Sequence, residues 1–265
     1  MRLALIGDTH GLVPALEAVM AACRRAAPDL VVHCGDFLST PFTPDPPEET
    51  IALLRGEGIQ AIIGNGEAYL RDWDTPRYEI DLAQRRERSD SPDYFLHLVP
   101  AGQAELRAED LAWLRSLPDE LILDCARPGD VYVCHGMPGN PFSGIWPAHL
   151  TSTFDRHITP EMRDAALARH GPAEADLILC GHAHEPVVLP TQLPNGRMAL
   201  AVRGNGVRAE GNPEVCWVGY VILTHRGPSL PIGFAEWEIQ FGAVPFSPRD
   251  PTWTWDQPPR RSSRP

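Results

Sequence analysis

The chain has 265 residues, of which 43% are hydrophobic and 22% charged, an ordinary composition for a globular protein with one large domain. Lys+Arg 23 against Asp+Glu 35 leave a net charge of −12. Such a surface disfavours general nucleic-acid or anionic-membrane binding, yet it admits a small phosphorylated substrate where bound cations reverse the local field.

Residues 3–6 form a short apolar run closed by Gly7, which predicts a core strand. Leu12, Leu16, Val19, Met20 and Cys23 then recur at helical spacing and predict an amphipathic helix. Residues 30–34 are a second apolar run, and residues 39–47, with four prolines, read as a loop. Residues 48–55 predict a helix closed by Gly56 and Gly58, and residues 60–63 a third strand. The order βαβαβ predicts parallel pairing and an α/β fold.

Residues 69–103 are polar without a clear period and are expected to mix a helix with loops, Arg85, Arg86 and Arg88 forming a solvated face. Residues 105–117 predict a helix ended by Pro118. Residues 121–124 and 130–134 predict two strands joined by a turn at Pro128-Gly129. A loop over 138–160, a helix over 160–170 and a strand over 177–180 follow, and residues 197–202, 216–223 and 234–246 are expected to close the sheet. The Pro-, Arg- and Ser-rich segment 247–265, which holds Trp253 and Trp255, is expected to be a loosely attached tail on a domain of residues 1–246.

The six cysteines, Cys23, Cys34, Cys125, Cys134, Cys180 and Cys216, form no C-x-x-C pair, which argues against a zinc ribbon or a thioredoxin motif. With no basic leader and no long apolar run, neither a signal peptide nor a membrane span is expected, and a cytoplasmic location is.

Five polar clusters each follow directly on an apolar run: Asp8-Thr9-His10, Asp36, Asn65, His135 and His182-Ala183-His184. Ligands of α/β sheets bind beyond the carboxyl ends of the strands, so these clusters are expected to converge on one edge. They supply two carboxylates, one amide oxygen and four imidazoles. That is too many donors for one ion of ordinary coordination, and it suits two divalent ions about 3.5–4 Å apart sharing a carboxylate. A nitrogen and oxygen donor set without thiolate favours Mn, Fe, Zn, Co or Ni over Ca or Mg.

In order, these motifs read Asp8-Thr9-His10, Gly35-Asp36, Gly64-Asn65-Gly66-Glu67, His135-Gly136 and Gly181-His182-Ala183-His184. The series D-x-H, G-D, G-N, H-G, G-H-x-H resembles the calcineurin-like metallophosphoesterase superfamily, and most its compact bacterial phosphodiesterase-like branch, over roughly residues 1–245. The resemblance implies a four-layer αββα sandwich with two mixed sheets. It implies one ion held by Asp8, His10, Asp36 and His184 and another by Asp36, Asn65, His135 and His182, with Asp36 bridging and Asp36, Asn65 and His135 at the catalytic centre. The implied cofactors are two divalent transition-metal ions, Mn favoured, and the implied nucleophile is a metal-bridging hydroxide acting on a phosphodiester or nucleotide-like substrate.

One position departs from the family pattern. Most members carry a histidine after G-N, where this chain has Gly66. General acid catalysis contributes about 10²–10⁴-fold, so the departure is expected to weaken attack on poor leaving groups without touching metal binding. Two alternatives follow: a weakly active or inactive binding scaffold of the same fold, and a protein or small-molecule phosphomonoesterase. A protein phosphatase is disfavoured because Phe37-Leu38-Ser39 stands where such enzymes carry D-R-G.

Four residues are candidate substrate contacts. His149 and His157 lie in the long loop as replacements for the missing acid, and Arg203 and Asn205 adjoin a glycine turn after a late strand, where backbone N–H groups suit a phosphate. His33, Cys34, Cys134 and Cys180 adjoin motifs and are read as core residues. A homo-oligomer is compatible with the resemblance, and no interface is readable.

Overall fold

In the computed structural model, the described residues are 1–39, 43–79, 83, 92–127, 129–142, 144, 160–170, 174–209, 216–227 and 237–250. Among them, the first half of the chain forms β1 (Arg2–Ile6), α1 (Val13–Ala26), β2 (Leu30–His33), α2 (Pro47–Gly56), β3 (Gln60–Ala61) and α3 (Asn65–Asp72). Next come α4 (Pro92–Ala104), α5 (Ala108–Ser116), β4 (Glu120–Leu123), β5 (Val131–Cys134) and α6 (Pro160–His170). The last part is strands alone: β6 (Leu177–Leu179), β7 (Val187–Gln192), β8 (Met198–Arg203), β9 (Gly206–Ala209), β10 (Cys216–His225) and β11 (Trp237–Phe246).

The strands form two mixed sheets. The first has the order β11-β10-β1-β2-β3, with β9 also pairing β10, and the second the order β4-β5-β6-β8-β7. β1, β2 and β3 run parallel, with Ile6 opposite His33 and His33 opposite Ala61. β5, β6 and β8 run parallel in the second sheet, with Val133 opposite Leu179 and Leu179 opposite Val202. The antiparallel strands lie outside these parallel centres.

Side-chain alternation along these strands makes three cores. Leu3, Leu5, Val32 and Ile62 meet Val131, Val133, Leu177, Leu179 and Val202 between the sheets. The other face of the first sheet, through Ala4, Ile6 and Ile222, packs on Leu16, Val19, Met20, Ile51 and Leu114 from α1, α2 and α5. The outer face of the second sheet, through Tyr132, Ile178 and Ala201, packs on Leu167 of α6. Helix, sheet, sheet and helix thus stack as the expected αββα sandwich. α1 carries Pro14 in its first turn, where a missing N–H is tolerated, and ends with Arg24 and Arg25 against its carbonyl terminus. Asp45, from the proline-rich loop, accepts the Val13 N–H at 2.8 Å and so satisfies one of the helix's orphan donors.

The structure adds elements that local pattern does not mark. Residues 65–104 contain α3 and α4, and Tyr69 and Val99 from them meet Tyr78 in a small satellite core. α5 starts at Ala108, later than the sequence suggests, where Glu109 and Asp110 favour a first turn. β7, with Pro190 inside it, is an edge strand where a missing N–H is tolerated. Arg85, Arg86, Arg88, Pro128, most of the 138–160 loop, Trp253 and Trp255 lie outside the described residues. No described helix is long and apolar enough to cross a membrane.

Candidate metal centre

Each parallel strand hands the chain to a polar loop at the same edge, and backbone hydrogen bonds stitch these loops together. Asp8 N–H donates to Gly35 O at 2.9 Å, His10 N–H to Asp36 O at 2.9 Å, and Val207 N–H to Asp8 O at 3.1 Å. Gly181 N–H donates to His135 O at 2.8 Å inside the second sheet. The two sheets are tied at this edge by His182 N–H, which donates to Asp8 Oδ1 at 2.9 Å.

The turns are tight enough to require unusual backbone. Six described non-glycine residues have a positive φ, and five are in the motifs: Asp8 (50°), His10 (49°), Asp36 (52°), His182 (73°) and His184 (55°). Left-handed backbone at non-glycine residues costs of order 1–3 kcal/mol each and persists where the surroundings enforce it. Gly35 shows the crowding: at φ 91° a Cβ there would lie 2.5 Å from Gly64 Cα.

The side chains then converge. One oxygen or nitrogen each from Asp8, His10 and His184 lie within 4.8 Å of one another, as do those of Asp8, Asp36 and His135. Asp36 Oδ2 stands 3.9 Å from His10 Nε2 and 3.5 Å from His135 Nε2, the position of a shared ligand. Its other oxygen is held by the Gly66 N–H at 2.8 Å. Asn65 Oδ1 lies 3.0 Å from His135 Nε2 and 2.9 Å from His182 Nδ1. All seven residues read from the sequence as ligands therefore meet in one place.

Hydrogen bonding fixes which ring nitrogens face the centre. His135 Nδ1 lies 2.7 Å from Cys34 O and His184 Nδ1 2.9 Å from Val207 O. A carbonyl accepts only, so both Nδ1 atoms carry protons and the Nε2 atoms turn inward. His184 Nε2 then faces His10 Nε2 at 3.0 Å, and the Asn65 oxygen faces acceptors unless its amide is reversed. Lone pairs aimed at one another suit a cation better than they suit hydrogen bonds. The donor set of carboxylate, amide oxygen and imidazole fits divalent transition-metal ions.

Electrostatics within the centre are strong. Burial pushes the Asp36 carboxyl up, but the charge and hydrogen bond of His135, the charge of His10 and the Gly66 N–H overcome it and hold the pKa below the usual range. Burial likewise opposes ionisation of Asp8, and His184 reverses the effect. Burial lowers His135 too, yet Asp36 outweighs it and pushes it up to about 10. Desolvation wins at His10, lowered to about 4.

Sequence reading missed three supports. Glu67, fully buried, accepts the N–H groups of Asp36 (2.8 Å), Leu38 (2.5 Å) and Gly64 (2.8 Å), and so clamps the Asp36 and Asn65 loops together. Burial and the neighbouring Asp36 charge raise its pKa to about 8. The orienting carbonyls of Cys34 and Val207 are backbone groups with no signature in residue type. Asn205 donates to Asp8 Oδ2 at 2.8 Å and to Cys34 Sγ at 2.9 Å.

Asn205 and Arg203, expected at the substrate, are 0% and 1% exposed and sit behind the ligand loops. Arg203 Nε donates to the Glu185 carbonyl at 2.8 Å. His149 and His157 lie outside the described residues. His33 packs edge-on against Phe37 and stays in the core, as do Cys34, Cys134 and Cys180.

A two-sheet sandwich with a carboxylate and imidazole cluster at one edge defines the metallophosphoesterase class of fold. The profile of the calcineurin-like phosphoesterase superfamily domain matches residues 1–207, and the chain belongs to that superfamily. Among solved structures, the chain is similar to a metallophosphoesterase from Sphaerobacter thermophilus, at 21% identity over 93% of this chain and 89% of that one, with a TM-score of 0.55. It is also similar to a hypothetical protein from Pyrococcus horikoshii OT3, at 14% identity over 93% of this chain and 88% of that one, with a TM-score of 0.61. At these identities the likeness is one of fold. No curated protein matches the chain.

Proposed function

We propose that the chain is a two-metal phosphoesterase that hydrolyses phosphodiester or nucleotide-like substrates in the cytoplasm. The observation that carries this reading is the convergence of the His10, His135, His182 and His184 ring nitrogens on Asp8, Asp36 and Asn65. Asp8, His10, Asp36 and His184 would hold one divalent ion, and Asp36, Asn65, His135 and His182 the other, with manganese favoured. Such ions supply a water of lowered pKa and neutralise phosphoryl oxygens.

The chain's own residues do the rest. Asp36, gripped by Gly66 N–H through one oxygen, sets the other between His10 and His135, where it would be shared by the two ions. Cys34 O and Val207 O orient the His135 and His184 rings. Gly66 offers no proton to a departing group, so good leaving groups are favoured. The six free cysteines suit a reducing compartment.

Elemental analysis paired with assays on bis-aryl and mono-aryl phosphates with added Mn²⁺ tests the reading. Two ions per chain with diester turnover sustain it. No metal under any loading condition overturns it. A second reading, a binding scaffold of the same fold, is favoured by Gly66 and by the full engagement of Glu67 with backbone. Two ions without hydrolysis across a broad panel would select it.

A further inference from the structure

The face of β10 and β11 that turns toward the second sheet is covered along Val221, Leu223, Trp237 and Ile239. Trp217, Gly219, Phe241 and Ala243 continue that face by strand alternation. The second sheet stops short of them, because β8 ends at Arg203 and the chain turns away through Gly204. An uncharged groove of about 320 Å³ opens there, lined by Pro186, Gly204, Trp217, Gly219, Phe241 and Ala243. Trp217 and Phe241 are 38% and 44% exposed.

Strand pairing sets the groove beside the metal centre. β1 runs antiparallel to β10 with Leu5 opposite Val221, so the carboxyl end of β1 points toward Gly219 and Trp217. Gly219 pairs with Gly206, and Gly206 lies under the His184 imidazole, where a Cβ would stand 2.8 Å from its Cγ. Pro186 follows His184 by two residues. Bare backbone makes the floor: a Cβ at Gly204 would meet the Phe241 ring at 2.4 Å, and one at Gly219 would meet Gly204 O at 2.4 Å.

We infer that this groove is the subsite for a planar aromatic group esterified to the phosphate. The inference rests on the phosphoesterase reading and specifies its substrate: phosphate at the Asp and His cluster, ring between Trp217 and Phe241. Three properties argue for this occupant. The lining carries no charge, while the adjoining centre holds the Asp8 and Asp36 carboxylates. The two aromatic side chains offer faces and edges to a flat ring. The volume lies at the small end of ligand pockets, which run about 300–1,000 Å³, and so suits one ring system.

The test uses the full-length, metal-loaded chain and calorimetric binding of methyl phosphate and 1-naphthyl phosphate. The wild type is expected to bind the naphthyl ester about tenfold or more tightly, the scale of one or two aromatic contacts. Phe241→Ala and Trp217→Ala should collapse that ratio toward one, and Phe241→Trp should keep it, with metal content and near-UV circular dichroism confirming the fold. A wild-type ratio near one overturns the inference, as does a ratio that survives both alanine variants. A concentration-dependent dimer abolished by Phe241→Ala would assign the groove to a second copy and also overturn it. If neither ester binds while bis-aryl phosphate is still turned over, the subsite inference fails alone; if diester turnover is absent as well, the phosphoesterase reading fails with it.

Discussion

The metal centre and the groove beside it are built by opposite means. The centre consists of loop residues at strand ends, and five of its seven side chains stand on left-handed backbone. The groove consists of regular strand residues and glycine turns, and none of its described non-glycine residues has a positive φ. Strain is concentrated where lone pairs must be aimed at a point, and it is absent where a flat surface suffices. Chemistry at this edge is therefore brittle, and recognition should be tolerant of change.

The largest expected effect breaks the brittle side. Asp36→Ala removes the one carboxylate placed between His10 and His135. Turnover of an aryl diester should fall to background and metal content should drop, as elemental analysis would record. Unchanged turnover would remove Asp36 from the mechanism.

Gly66→His tests the family departure. If the missing proton donor limits the enzyme, turnover of alkyl esters should rise by about 10²–10⁴-fold, with little gain for nitrophenyl esters. An unchanged dependence on leaving group, with metal intact, would mean that the donor is not what is lacking.

Stability should separate the two regions. Gly35→Ala places a Cβ against Gly64 on a backbone at φ 91°, combining strain with overpacking. It should cost about 3 kcal/mol or more, read as the loss in urea-unfolding free energy. Phe241→Ala, on the half-exposed groove wall, should cost under about 1 kcal/mol. Equal losses would erase the contrast.

A smaller effect is expected one step behind the ligands. Asn205→Ala leaves Asp8 Oδ2 without its amide donor. Metal affinity measured by chelator competition should weaken about 10–100-fold, the usual scale for groups that orient a ligand. Unaltered affinity would make Asn205 a packing residue only.

Much of the fold and of the candidate site was legible before any coordinates. The βαβ order, the apolar runs and the polar residue at each run's end are local properties of the chain. In a parallel sheet, those ends must share an edge. Asp8, His10, Asp36, Asn65, His135, His182 and His184 could therefore be gathered from strand ends and motif order alone. The same reasoning set Arg203 and Asn205 at the substrate, and it did not foresee that both are buried, because a residue after a strand can turn inward as readily as outward.

What only the tertiary structure decided is the set of contacts between groups far apart in sequence. The Cys34 carbonyl sets the His135 tautomer, and Glu67 gathers N–H groups from two loops. β7 and β9 take their places because β8 and β10 offer them partners. The groove exists because one sheet ends before the other does. Periodicity and motif are written in single segments, so sequence determined the elements and the donor types. Direction of lone pairs, backbone strain and open surface arise only when segments pack, so these were the fold's to decide.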